Sequence, residues 1–129
     1  MEMKKKNESG QAIVEFALLI PLFLILIAAV IDFGWVLTHE LSLSSAVREG
    51  ARVGITCASE DNFELQVKTR VQRVAAAPPS STLSVTVSSE GGDVVVKANY
   101  DLQLLTPVGK LLFGSMSFKI ENSCTMKAE

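Results

Sequence analysis

The chain has 129 residues, 48% of them hydrophobic and 20% charged, with a formal net charge of -2. That length supports one domain, and the absence of a basic surplus argues against a nucleic-acid binder. With one histidine (His39) and two cysteines (Cys57, Cys124), the chain alone supplies no zinc cluster, and histidine-based acid–base chemistry has little to work with.

The apolar residues are concentrated near the start. From Phe16 to Ile31 (FALLIPLFLILIAAVI) there is no charged residue, and FGWVL resumes the pattern after Asp32. As a helix, Ala12 to Leu37 spans roughly 39 Å at about 1.5 Å per residue, enough for a hydrocarbon core of about 30 Å. The stretch therefore reads as a membrane-spanning helix. Lys4, Lys5 and Lys6 precede it and the next basic residue is Arg48, so the positive-inside rule keeps the N-terminus cytoplasmic and exports the remainder. Net charge divides likewise, +1 over the first ten residues and -3 beyond. A secretory signal peptide shares the basic start, but its apolar run is about 7–15 residues long and ends in an A-x-A-like site. Here the run is longer and no convincing site follows.

At the junction Ser9-Gly10-Gln11-Ala12-Ile13-Val14-Glu15-Phe16, a carboxylate stands at the head of the apolar run. Such a group costs a few kcal/mol in lipid, unless it lies at headgroup level and is solvated. Pro21 lacks an N–H and crowds the carbonyl of Ala17, so a kink is expected. That kink reads equally as harmless or as a loosening that helps subunits leave the bilayer. Asp32 falls near the outer interface, where solvation accounts for it, and a pairing with Arg48 or Arg52 of a neighbour is the other reading. Trp35 suits an interfacial anchor.

The junction resembles the class III signal of prepilins, which a prepilin peptidase cuts after the glycine. Glu15 would then be the fifth residue of the mature chain, and the Glu15-Phe16 pair resembles the Tad (Flp) branch. The stretch GQAIVEFALLIPLFLILIAAVIDFGWVL followed by SLSSAVREGARVG is similar to the N-terminal half of TadE/TadF-like pseudopilins. The matching features are Gly10 with Glu15, Pro21, the Asp32-Phe33-Gly34 step and the run from Ala46 to Arg52. The likeness covers about the first 55 residues.

The resemblance implies processing between Gly10 and Gln11 and a minor pilin or pseudopilin acting in pilus assembly, surface adhesion and biofilm formation. It implies the membrane, the peptidase, other pilin subunits and the assembly platform as partners. It implies residence in the inner membrane, with passage into an extracellular pilus. Residues 1–10 would be the leader, 11–37 the transmembrane helix and 38–129 the extracytoplasmic domain. Glu15 could pair with a neighbour's new amine in a packed bundle, since an unpaired charge there is costly. The competing reading is a permanently anchored, monomeric binding module in which the Gly10–Glu15 spacing is coincidental. A third, an anchored enzyme, lacks a Ser-His-Asp set, metal spacing or phosphate loop. No catalytic residue, metal site, cofactor, small-molecule substrate or nucleic-acid partner is expected.

Helical periodicity continues beyond the span through Leu37, Leu41, Val47 and Ala51. Gly50 and Gly54 form a small-xxx-small pair that permits close packing, against the protein's own sheet or a neighbour. The first helix is expected to end near Ile55 to Ala58. Ser59-Glu60-Asp61-Asn62 reads as a capping turn, and Phe63, Val67, Val71 and Val74 mark a second helix. Its Lys68, Arg70 and Arg73 read as a solvated face rather than an anion site. Pro78-Pro79-Ser80-Ser81 ends it.

Three strands follow. Thr82 to Ser89 places Leu83, Val85 and Val87 on one side, Gly91-Gly92-Asp93 is a turn, and Val94 to Leu105 alternates. Thr106 to Gly114 is a loop with a short apolar turn, and Ser115 to Lys127 alternates through Met116, Phe118, Ile120, Cys124 and Met126. One apolar face per strand implies an antiparallel sheet covered on one side. The fold expected is α+β: a long N-terminal helix packed on a small sheet, as in pilins. Export to an oxidising compartment favours a Cys57–Cys124 disulfide, worth a few kcal/mol for a loop of about 67 residues. Two buried free thiols are the alternative.

Overall fold

The computed structural model describes residues 5–57, 61–78 and 81–127. Lys4, the Ser59-Glu60 half of the capping turn and the Pro79-Ser80 half of the breaker lie outside the described residues. The elements are α1 (Lys5–Thr56), α2 (Phe63–Val74), β1 (Ser84–Glu90), β2 (Asp93–Gln103), α3 (Val108–Phe113) and β3 (Ser117–Lys127). This is the α+β arrangement expected, with a candidate membrane span in α1. The strands form one antiparallel sheet in the order β1-β2-β3.

Each element follows from local chemistry. The β1–β2 hairpin closes through Gly91 and Gly92, with φ of 62° and 93°, a conformation that costs glycine nothing and side chains dearly. In β2, Val94, Val96, Ala98, Tyr100 and Leu102 are buried while the residues between them are not, as a period of two requires. Opposite them on β3 stand Met126, Cys124, Asn122, Ile120 and Phe118 in register. α2 buries Val67 and Val71 and carries Phe63 and Val74 at its partly buried edges.

The C-terminal half of α1 lies across this sheet and against α2. Its buried positions are Asp32, His39, Leu43, Ala46, Val47, Gly50, Ala51 and Gly54, which fall on one face of a helix of 3.6 residues per turn. Of the face expected, Val47 and Ala51 are buried, whereas Leu37 and Leu41 are 45% and 60% exposed, which corrects that part. The packed face is instead made largely of small residues, because the helix must come close. A Cβ on Gly50 would fall 2.4 Å from Val71 Cγ2, and one on Gly54 would fall 2.8 Å from Val94 Cγ1. The small-xxx-small pair thus serves contacts within the chain, to α2 and to β2.

The cysteines are a second correction, for both are free. The Cys57 thiol donates to Gln66 Oε1 at 3.2 Å. Cys124 is in register with Val96, and the α1 residue built against Val96 is Gly50.

Candidate functional site

α1 divides into two parts with different surroundings. From Ile13 to Ile31, fourteen large apolar side chains are exposed. Covering such side chains is worth about 1.5–3 kcal/mol each, so leaving them in water costs roughly 20–40 kcal/mol. That exceeds the total stability of an ordinary domain, about 5–15 kcal/mol. The fold offers them no partner, so this surface must be met by lipid or by neighbouring chains, which fits a single-pass membrane protein.

At the head of this surface, the Gln11 side-chain amide donates to Glu15 Oε1 at 3.2 Å. The residues one helical turn apart, Gln11 and Glu15, are thereby joined on one face. Gly10 has open space around it, with no atom within 4 Å of a built Cβ. Phe16 is exposed on the same surface, and the helix runs uninterrupted through Pro21. The structure therefore keeps Gly10, Gln11, Glu15, Phe16 and Pro21 on one outward rod.

The packed part starts at Asp32. This residue is only 5% exposed, a correction to the solvated role expected of it. Its Oδ1 accepts from the backbone N–H groups of Leu105 (3.1 Å) and Thr106 (3.0 Å), and its Oδ2 accepts from the Thr106 hydroxyl. A carboxylate serving several donors is a strong anchor because charge-assisted bonds exceed neutral ones. Trp35 is likewise bound to the domain rather than left as a free anchor. Its indole N–H donates to Gln103 O at 3.3 Å, and its ring lies 4.2 Å from that of His39. His39 Nδ1 is 2.9 Å from Trp35 O. Further along, the Asn122 amide donates to Glu40 Oε1 at 3.3 Å.

These bonds draw the segment after β2 against α1. There α3 presses onto Leu104, for a Cβ on Gly109 would lie 2.1 Å from Leu104 Cδ1. α3 ends at Gly114, which is left-handed with φ 73° and donates to Lys110 O, a common helix stop. Between α1, α3 and β3 an apolar cleft of about 380 Å³ remains, bordered by Ala29, Phe33, Val36, Val108 and Phe118. Phe118 on its border is exposed, as are Leu105, Leu111 and Met116 in the same stretch of chain. Met116 and Phe118, expected to face the covered side of the sheet, are 48% and 46% exposed, a correction.

At the other end, Arg70 donates to Glu49 Oε1 at 2.7 Å, with Arg52 at 3.8 Å from Oε2. The Arg70 hydrogen bond holds the Glu49 carboxyl below its ordinary 4.5; burial opposes this, and the charges of Arg70 and Arg52 add to it. Part of the basic cluster of α2 is thus a structural tie between helices. Lys68 pairs with Glu64 on the surface.

Residues 10–52 match the sequence profile of the TadE-like protein family. The matched segment starts at Gly10 and covers both the outward rod and most of the packed part of α1. It contains Glu15, Pro21, the Asp32-Phe33-Gly34 step and the Ala46–Arg52 run, so the resemblance carried by those residues stands. Comparison with curated proteins and with solved structures gives no significant match.

Proposed function

We propose, taking the TadE-like character of residues 10–52 as the premise, that this protein is a minor pilin or pseudopilin of a Tad (Flp) pilus system. A prepilin peptidase removes residues 1–10 by cutting between Gly10 and Gln11. The mature chain of 119 residues stays in the inner membrane through α1 with its N-terminus on the cytoplasmic side, and its domain lies outside. From there it joins other pilin subunits on the assembly platform and serves surface adhesion and biofilm formation. The protein acts as a structural subunit rather than as an enzyme.

The observation that carries this reading is the coincidence of the family match with a surface the fold leaves bare. Among the described residues the large apolar side chains from Ile13 to Ile31 are exposed, and Glu15 stands at their head. Cleavage creates an amine on Gln11, the residue whose side chain already meets Glu15. In a bundle of such helices that amine faces the carboxylate of a neighbour. Within about 4 Å and away from water the attraction is strong, and an axial slip leaves both charges unpaired. The pair therefore selects one register.

The test is the intact mass of the membrane-extracted protein, made with and without a prepilin peptidase. The expected product begins at Gln11 only when the enzyme is present. Retention of residues 1–10 in its presence refutes the reading and favours a permanently anchored binding module. Glu15→Ala and Glu15→Gln should remain in the membrane yet lose incorporation into a filament; normal incorporation of both removes the registry role.

A further inference from the structure

The span and the loop after β2 are tied together at one level. Twenty residues from Ala12 to Ile31 cover about 30 Å, the thickness of the hydrocarbon core, so Asp32 stands at its outer boundary. Asp32 holds the backbone of Leu105 and Thr106 directly. Whatever depth Asp32 takes, Leu105 takes also. The segment that follows is therefore delivered to the bilayer surface, and its composition suits that place. From Leu102 to Phe118 the sequence LQLLTPVGKLLFGSMSF contains one charged residue, Lys110. Leu105, Leu111, Met116 and Phe118 are exposed, Leu111 to 73%, and Phe33 of α1, also exposed, shares the cleft with Phe118. No residue of this chain covers them among those described.

We infer that α3 and its flanks form a second membrane contact, a foot lying in the headgroup–acyl boundary of the outer leaflet beside the span. The occupant of the apolar cleft between α1 and α3 is lipid acyl chain, and Lys110 reaches the phosphate level above it. Three things on the page select lipid. The hydrogen bonds of Asp32 fix the depth, the cleft joins Val108 and Phe118 to Ala29 and Phe33 of α1, and the one cation has the sign that anionic headgroups attract. Gly109 is needed for this because it lets α3 lie flat on Leu104. The inference rests on α1 spanning the membrane.

The experiment uses the full chain with Cys57→Ser and Cys124→Ser, carrying one nitroxide label at Leu111→Cys, Leu105→Cys, Leu22→Cys or Thr125→Cys. Each is reconstituted in vesicles of phosphatidylethanolamine and phosphatidylglycerol. Collision with oxygen, which concentrates in lipid, is compared with collision by a water-soluble nickel complex. All four positions are exposed, so the labels leave the core intact. The expected result is nickel access at 105 and 111 about fivefold or more below that at 125, with oxygen access raised, as interfacial burial of an amphipathic segment requires. Labels at 105 and 111 as accessible to nickel as 125, with 22 in lipid, overturn the foot and leave the span standing. A label at 22 that is itself open to nickel overturns the span and the foot together. Shielding of 111 that appears only at high protein density means that a second copy covers the cleft, and that also overturns the proposal.

Discussion

Replacing Asp32 by Ala removes the acceptor shared by Leu105 N–H, Thr106 N–H and the Thr106 hydroxyl. Hydrogen bonds to a charged group contribute about 1.5–3 kcal/mol each. Leu105 is exposed and Thr106 half-buried, so water replaces part of what is lost and the lower figure applies. The hydroxyl can turn to water and contributes little net. Two backbone bonds at the lower figure give about 3 kcal/mol for holding the loop against α1. Asp32→Asn keeps one oxygen and loses the charge, so about half of that is expected. Hydrogen exchange on the intact protein in lipid nanodiscs reads this directly. A loss of about 3 kcal/mol speeds local opening roughly 100-fold at the Leu105 and Thr106 amides, and the Asn variant does so roughly tenfold. Amides in the centre of β2, such as Val96, should keep their wild-type rates. If Leu105 and Thr106 exchange at the wild-type rate in Asp32→Ala, the carboxylate does not hold the loop and the argument for the foot loses its depth marker.

Gly50→Ala should destabilise the fold by about 1–3 kcal/mol through overpacking on Val71, lowering Tm in detergent, whereas Gly34→Ala meets nothing within 4 Å and should not lower it. Because Glu49 is held below its ordinary 4.5 by Arg70, its contribution to stability is present above that value and lost as pH falls through the depressed one. The stability gap between wild type and Glu49→Gln, followed by denaturant titration, should therefore close below pH 4.5, and a gap independent of pH contradicts the tie. Burial first, and then the charge of Glu40, push Tyr100 above its ordinary 10.0, and its hydroxyl is buried without a hydrogen-bond partner among the described residues. Tyr100→Phe should thus be neutral or stabilising near neutral pH, and it should abolish the part of the alkaline destabilisation that sets in above pH 10.0 as the unfolded tyrosine ionises.

The sheet was legible because strand chemistry is local. Valines at every second position and a Gly91-Gly92 turn leave few alternatives to an antiparallel sheet, while the register is known only from the fold. The outward rod was legible for the same reason, being apolar on every side. The phase of α1 beyond the span was legible only in part, for Val47 and Ala51 are buried as expected. Leu37 and Leu41 look like core residues by size, but the surface that meets α2 and β2 admits only Gly50, Ala51 and Gly54 at its closest points. It also tolerates His39, which meets Trp35 one turn back, and Asp32, whose partners lie far along the chain. Asp32 could not be assigned from sequence because its partners are backbone N–H groups 73 and 74 residues away, and an amide leaves no mark in a sequence. The expected disulfide came from compartment rather than position, and both thiols are free in the fold.

α1 is a single helix of 52 residues, about 78 Å at the helical rise, and it passes from the exposed rod into the packed domain without a connecting loop. The domain is therefore keyed to the rod like a flag to its pole. A turn of the pole about its axis swings the flag through the same angle, and an axial pull on one end is delivered undamped to the other. Subunits stacked by their rods would display their sheets at fixed compass bearings, one bearing for every step of the stack.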